Sequence, residues 1–163
     1  TPFFFMMGNA IAQSAQPIIS YNYGISRWNE IRKVRKLLLS TSVAIGMVVA
    51  LLFAFIPDRL VALFVDATSE AGQIAIEGFP YFASGIVFFI LNVAIVGYYQ
   101  SVEQIKRATV LVFLRGFALL LPTFIFLPKL LGSAGIWLAM PVAEIITTIA
   151  IVMMFFKLHA KRH

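Results

Sequence analysis

A transmembrane α-helix needs about 20 consecutive, predominantly apolar residues, and uncharged stretches of that length recur along this chain. Residues 1–26, 37–57 and 78–102 carry no charge at all. Residues 108–128 are interrupted only by Arg115, and residues 130–156 only by Glu144. A large buried core would explain one such run. Five runs in 163 residues leave too little polar surface for a soluble domain, since only 12% of the chain is charged against about 25% in ordinary soluble proteins. Open sheet edges cannot sit in lipid, so the spans are expected to be helices. The reading is an all-α integral membrane protein with about five spans, near 3–23, 37–56, 73–99, 107–127 and 134–156, forming one helical domain over 1–163.

Charge fixes the orientation. The net charge of +6 could belong to a nucleic-acid binder, but the positive residues cluster at the ends of apolar runs, which points away from nucleic acid and towards a bilayer. Arg27, Arg32, Lys33, Arg35 and Lys36 follow the first span, Lys106 and Arg107 follow the third, and Lys157, Lys161 and Arg162 follow the fifth. Those segments share one side and hold ten of the thirteen basic residues, whereas Arg59 and Lys129 lie opposite among Asp58, Asp66, Glu70 and Glu77. The positive-inside rule makes the first side, and the C-terminus, cytoplasmic. Tyr21, Tyr23, Trp28, Tyr98 and Tyr99 fall at that boundary and Trp137 near the other, as aromatic belts do.

At 100° per residue, the first span aligns Asn9, Gln13, Gln16, Ser20 and Tyr23 within one arc. The third aligns Glu77, Tyr81, Ser84, Asn92 and Tyr99, and the fifth Trp137, Pro141, Glu144 and Thr148. The second has no such stripe and is expected to face lipid more than the others. Two readings of the stripes stand: interhelical hydrogen bonding, worth under about 2 kcal/mol per contact, or a water-filled transport path. Arg115 and Glu144 are sharper signals, because a mid-helix charge costs roughly 2.5–3.5 kcal/mol on insertion scales and usually pairs or lines a cavity. At about 1.5 Å per residue, Arg115 lies about 12 Å in from Arg107 and Glu144 about 18 Å from the cytoplasmic end of its helix, an offset an arginine can bridge. Here too two readings stand, a structural pair and a role in substrate or proton handling. Pro17, Pro80, Pro122 and Pro141 fall within spans and are expected to bend them.

Enzyme chemistry has no foothold. The chain has no cysteine, its two histidines, His159 and His163, are both in the tail, and no nucleophile elbow, phosphate loop or metal-ligand spacing occurs. No catalytic, cofactor-binding or metal residue is expected.

The segment GNAIAQSAQPIISYNYG at 8–24, followed by Arg27 and a basic loop, resembles the end of the eighth helix of multidrug and toxic compound extrusion (MATE) transporters, with Gln16-Pro17 and Asn22-Tyr23-Gly24 its most specific parts. Tyr98-Tyr99-Gln100-Ser101, and Gly135-Ile136-Trp137 leading to Pro141-Val142-Ala143-Glu144, are similar to the connection after the tenth helix and to the twelfth helix, most like the MepA-like branch. The resemblance implies that the five spans are helices eight to twelve of twelve. They would form most of the C-terminal six-helix lobe of a longer transporter, a fragment whose missing partner is the N-terminal lobe of the same polypeptide. It also implies a secondary antiporter of the cell (inner) membrane that exports small cationic amphipathic substrates in exchange for H⁺ or Na⁺, with no cofactor. The expected transport cavity draws on Asn9, Gln13, Gln16, Tyr81, Ser84, Asn92, Arg115 and Glu144. NorM-type members carry a cation-binding carboxylate in the middle of the tenth helix. This chain has Asn92 there, with Glu77 near the outer end, so the coupling residues are expected in the N-terminal lobe. A lipid-linked glycan flippase of the same superfamily and a non-transporting membrane scaffold are the alternatives. A flippase would be expected to carry more basic residues in its cavity.

Overall fold

The computed structural model describes the backbone of residues 2–160 and the side chains of residues 3–153. The expected basic tail residues Lys157, Lys161 and Arg162, and both histidines, have side chains outside the described residues. Every regular element among the described residues is helical: α1 (Pro2–Gly24), α2 (Trp28–Phe55), α3 (Pro57–Ala62), α4 (Glu70–Ser101), α5 (Ile105–Phe113), α6 (Leu120–Leu131) and α7 (Ser133–Ala160). A π-helical segment, Leu114–Leu119, joins α5 to α6 so that Ile105–Leu131 forms one rod.

Among the described residues four rods are long and apolar enough to cross a membrane by length and composition: α2, α4, Ile105–Leu131 and α7. α1 has the length, but Asn9, Gln13, Gln16 and Asn22 make it less apolar than an uncharged segment need be. Freedom from charge is a weaker condition than apolarity, because amides are also poorly accommodated in hydrocarbon. Boundaries shift as well. α2 begins at Trp28, not near Leu37, so Arg32, Lys33, Arg35 and Lys36 lie on helix rather than in a loop. Contacts one turn apart support this charged extension: Lys33 Nζ lies 2.8 Å from Glu30 Oε1, and Arg32 donates to Asn29.

α4 is the axis of the fold, with α1, α2 and α7 packed along it. Ile86, Ile90, Asn92 and Ala94 on α4 are completely buried. Small residues let the backbones come close where no hydrophobic drive between helices exists in lipid. A β-carbon added at Gly46 of α2 would lie 2.9 Å from Val87 Cα, and one at Gly8 of α1 would lie 2.8 Å from Val93 Cβ. One added at Gly85 of α4 would collide with the backbone of Pro141 on α7. Gly85→Val is therefore expected to drive α4 from α7. It should lower the melting temperature of the purified protein and increase aggregation, whereas Gly116→Ala, where a β-carbon meets open space, should leave both nearly unchanged.

The two ends of the bundle differ in chemistry. At one end Ser20 donates to the Ser101 carbonyl at 3.1 Å, Arg35 lies 5.7 Å from the Tyr98 ring centre and Arg107 5.9 Å from that of Tyr99. The basic residues that follow α1 and α4 thus gather at one end. At the other, Phe4, Phe53, Phe79 and Trp137 make a chain of ring contacts, from 4.7 Å between Phe53 and Phe79 to 6.3 Å between Phe79 and Trp137. α4 starts there under a local cap, with the Ser69 hydroxyl accepting from the Gly72 amide at 3.1 Å.

Candidate functional site

Pro122 lacks an N–H, and its ring excludes the carbonyl four residues earlier, that of Ala118. The helix accommodates this by widening immediately before the proline, over Leu114–Leu119. Arg115 is the second residue of that wide turn and is directed at α7. Its Nε and Nη2 both donate to Oε1 of Glu144, at 3.0 and 2.6 Å. The two side chains are 10% and 4% exposed, so the pair is withdrawn from both water and lipid.

Asn92, wholly buried on α4, holds the other half of the carboxylate. Its Nδ2 donates to Glu144 Oε2 at 2.7 Å and to the Glu144 backbone carbonyl at 3.0 Å. Thr148, one turn further along α7, donates its hydroxyl to Asn92 Oδ1 and to the Glu144 carbonyl, both at 3.0 Å. Among the described residues no buried side-chain polar atom lacks a partner. The cluster is net neutral, and the Arg115 guanidinium carbon lies 4.6 Å from the centre of the Phe89 ring.

Arg115 and Glu144 face a cavity of about 350 Å³ bounded by α1, α4, the α5–α6 rod and α7. Phe5 and Asn9 of α1 form one wall; Phe89, Val93, Val96, Gly97 and Gln100 of α4 form the floor; Val112, Gly116 and Leu120 lie opposite. A mostly apolar lining with a few convergent polar groups is the usual form of a small-molecule site. A second cavity, of about 420 Å³ at the aromatic end, is walled by Phe4, Phe53, Phe64, Phe79 and Trp137, among others, and presents no charged group.

The eight expected cavity residues divide into three groups. Asn9, Arg115 and Glu144 line the cavity, and Asn92 lies behind it as Glu144's support. Gln13 and Gln16 continue the face of Asn9 along α1 but are exposed beyond the cavity, and Tyr81 and Ser84 are exposed towards the outer end of α4. The polar stripes of α4 and α7 are therefore not continuous faces of one path: on α7, Pro141 and Thr148 turn to α4, against Gly85 and Asn92. Sequence reasoning missed Phe89, whose place three residues before Asn92 puts both on one face of α4, and it missed the π turn. Among the described residues no cluster of His, Cys, Asp and Glu could hold a metal ion.

The MatE family model matches residues 1–126, more than half of the chain, taking in Asn92, Phe89 and Arg115. The chain belongs to the MATE family. Its members are membrane transporters rather than enzymes, so the apolar helices belong to a multi-pass transport protein. Glu144 lies beyond the matched residues, on the helix that completes the MATE protein's buried pair. No curated protein and no solved structure matches the chain.

Proposed function

We propose that this chain forms most of the C-terminal lobe, helices eight to twelve of the MepA-like branch, of a cation-coupled antiporter. That transporter exports small cationic amphipathic compounds in exchange for H⁺ or Na⁺ by alternating access in the inner membrane. The observation that carries the reading is the Glu144 carboxylate on the wall of a largely apolar cavity. The carboxylate that NorM-type members carry in the tenth helix is replaced here by Asn92, but Asn92 donates to Glu144, so α7 supplies an acid at the same depth. An ion-coupling acid in this lobe thus becomes part of the proposal, where the sequence pointed to the N-terminal lobe. The exposed amides Gln13 and Gln16 support a partner lobe or a water-filled path beside α1, since they would be costly against lipid. The flippase reading is disfavoured because the cavity's cation, Arg115, is already neutralised by Glu144.

The full-length transporter in proteoliposomes is expected to move ethidium against its gradient when a pH or Na⁺ gradient is imposed, and to stop when that gradient is collapsed. Translocation of a pyrophosphate-linked glycan lipid without ethidium transport would contradict antiport and favour the flippase. Orientation has its own check. A cysteine at Asn29, among the basic residues, should resist an impermeant thiol reagent in intact cells, while one at Thr68, at the opposite end, should react. The opposite labelling pattern would reverse the proposed topology.

A further inference from the structure

The contacts that hold the Arg115 guanidinium are those that recognise an organic cation: a carboxylate oxygen at 2.6 and 3.0 Å and an aromatic face at 4.6 Å. Taking this chain as part of a cation exporter, we infer that Glu144 and Phe89 form a monovalent organic-cation subsite which Arg115 occupies as a tethered cation, and that a cationic substrate binds by displacing it.

Three features distinguish this arrangement from an ion pair that only staples the Ile105–Leu131 rod to α7. The first is the division of labour on Glu144. Both hydrogen bonds from Arg115 fall on Oε1, whereas Oε2 and the backbone carbonyl are held by Asn92. The carboxylate would stay in place on α4 and α7 when the guanidinium leaves. The second is the tether. Arg115 rises from the π turn Leu114–Leu119, which contains no buried residue, and a β-carbon at the adjoining Gly116 would meet open space. Moving the turn therefore displaces fewer packed side chains than moving α4 or α7 would. The third is position: both partners border the 350 Å³ cavity, so an incoming cation reaches Oε1 and Phe89 without passing through the core.

Charge then sets the ligand class. With Arg115 in place the subsite is neutral; with Arg115 displaced it exposes one negative charge beside an aromatic ring in a mostly apolar hollow. A monovalent cation with an apolar or aromatic body replaces the guanidinium charge for charge. An anion meets a carboxylate, and a dication leaves one charge without a partner in the subsite. Since the binding-competent state has Arg115 moved aside, the apparent affinity of the resting protein is reduced by the fraction of time the tether vacates the site.

The test is ethidium binding to the full-length transporter purified in detergent, with no ion gradient. Arg115→Gln is expected to bind ethidium roughly tenfold tighter than the parent, as removal of a resident competitor requires. Adding Glu144→Gln or Phe89→Leu to that background should erase most of the gain. Should Arg115→Gln fail to fold, Arg115→Lys keeps the charge but loses the guanidinium's paired donors. It is expected to tighten binding by about threefold or more, through weaker competition. Unchanged or weaker ethidium affinity in whichever of these variants is folded would overturn the inference. Because binding is read without a gradient, tightening in a protein that shows no gradient-driven transport would refute antiport and leave the subsite standing. Transport without tightening would do the reverse.

Discussion

Glu144→Gln, introduced alone into the full-length transporter, is expected to reduce the folded protein recovered from membranes sharply and to lower its melting temperature. The substitution keeps the shape of the side chain but leaves the Arg115 guanidinium, itself only 10% exposed, without its counter-charge. Removing one partner of a buried ion pair typically costs about 3–5 kcal/mol, a large part of any domain's stability. The same principle predicts the rescue. Arg115→Met combined with Glu144→Gln replaces both charges with neutral groups of similar size, an exchange that is often close to neutral. The double variant should therefore recover most of the lost yield. A double variant no more stable than Glu144→Gln alone would show that the pair is not what the single change disrupts.

Asn92→Leu is the second substitution expected to have a large effect. Leucine fits the volume but removes two hydrogen bonds donated to Glu144 and the one accepted from Thr148, all between α4 and α7 in a fully buried place. A buried charged acceptor left short of a donor costs about 1–3 kcal/mol or more, while the Thr148 hydroxyl keeps its bond to the Glu144 carbonyl. Thr148→Val removes only the neutral end of the network and should cost about 1 kcal/mol. Melting curves of the two variants check the ranking. Equal destabilisation would mean that Asn92 does not hold the carboxylate.

Part of this cluster could be read from the sequence. Two charges in otherwise uncharged spans had to pair or face water, and counting 1.5 Å per residue from the basic ends brought Arg115 and Glu144 within reach of each other. The observed pair, 2.6 Å at its shortest, follows from that arithmetic. Helical periodicity also singled out Asn92 and Asn9; the expectation that α2 is the span most turned to lipid is not met, since α2 packs along α4 and the Ile105–Leu131 rod is the less buried of the two.

What was not legible depends on register and on neighbours. Pro122 announces a distortion, but whether a helix kinks, breaks or widens into a π turn is decided by the helices it rests on. The π turn is what aims Arg115. Periodicity places residues on an arc but does not say what covers the arc. Tyr81 and Ser84 are exposed while Asn92, on the same stripe of α4, is buried against α7. The start of α2 was missed because apolarity sets the membrane-spanning part of a helix, whereas charged residues with local partners, such as Glu30 and Lys33, carry the helix beyond it.

On the proposed function, the Arg115–Glu144 pair serves cation transport as well as joining two helices. Gradient-driven ethidium transport by the Arg115→Met, Glu144→Gln double variant in proteoliposomes decides between these roles, because the rescue of folding separates stability from function. The double variant is expected to be folded, inserted and close to the parent in melting temperature, yet reduced at least about tenfold in transport, the effect of losing about 1.4 kcal/mol or more of cation recognition. Transport at the parent's rate by the same folded double variant would contradict it and leave the pair a purely structural contact.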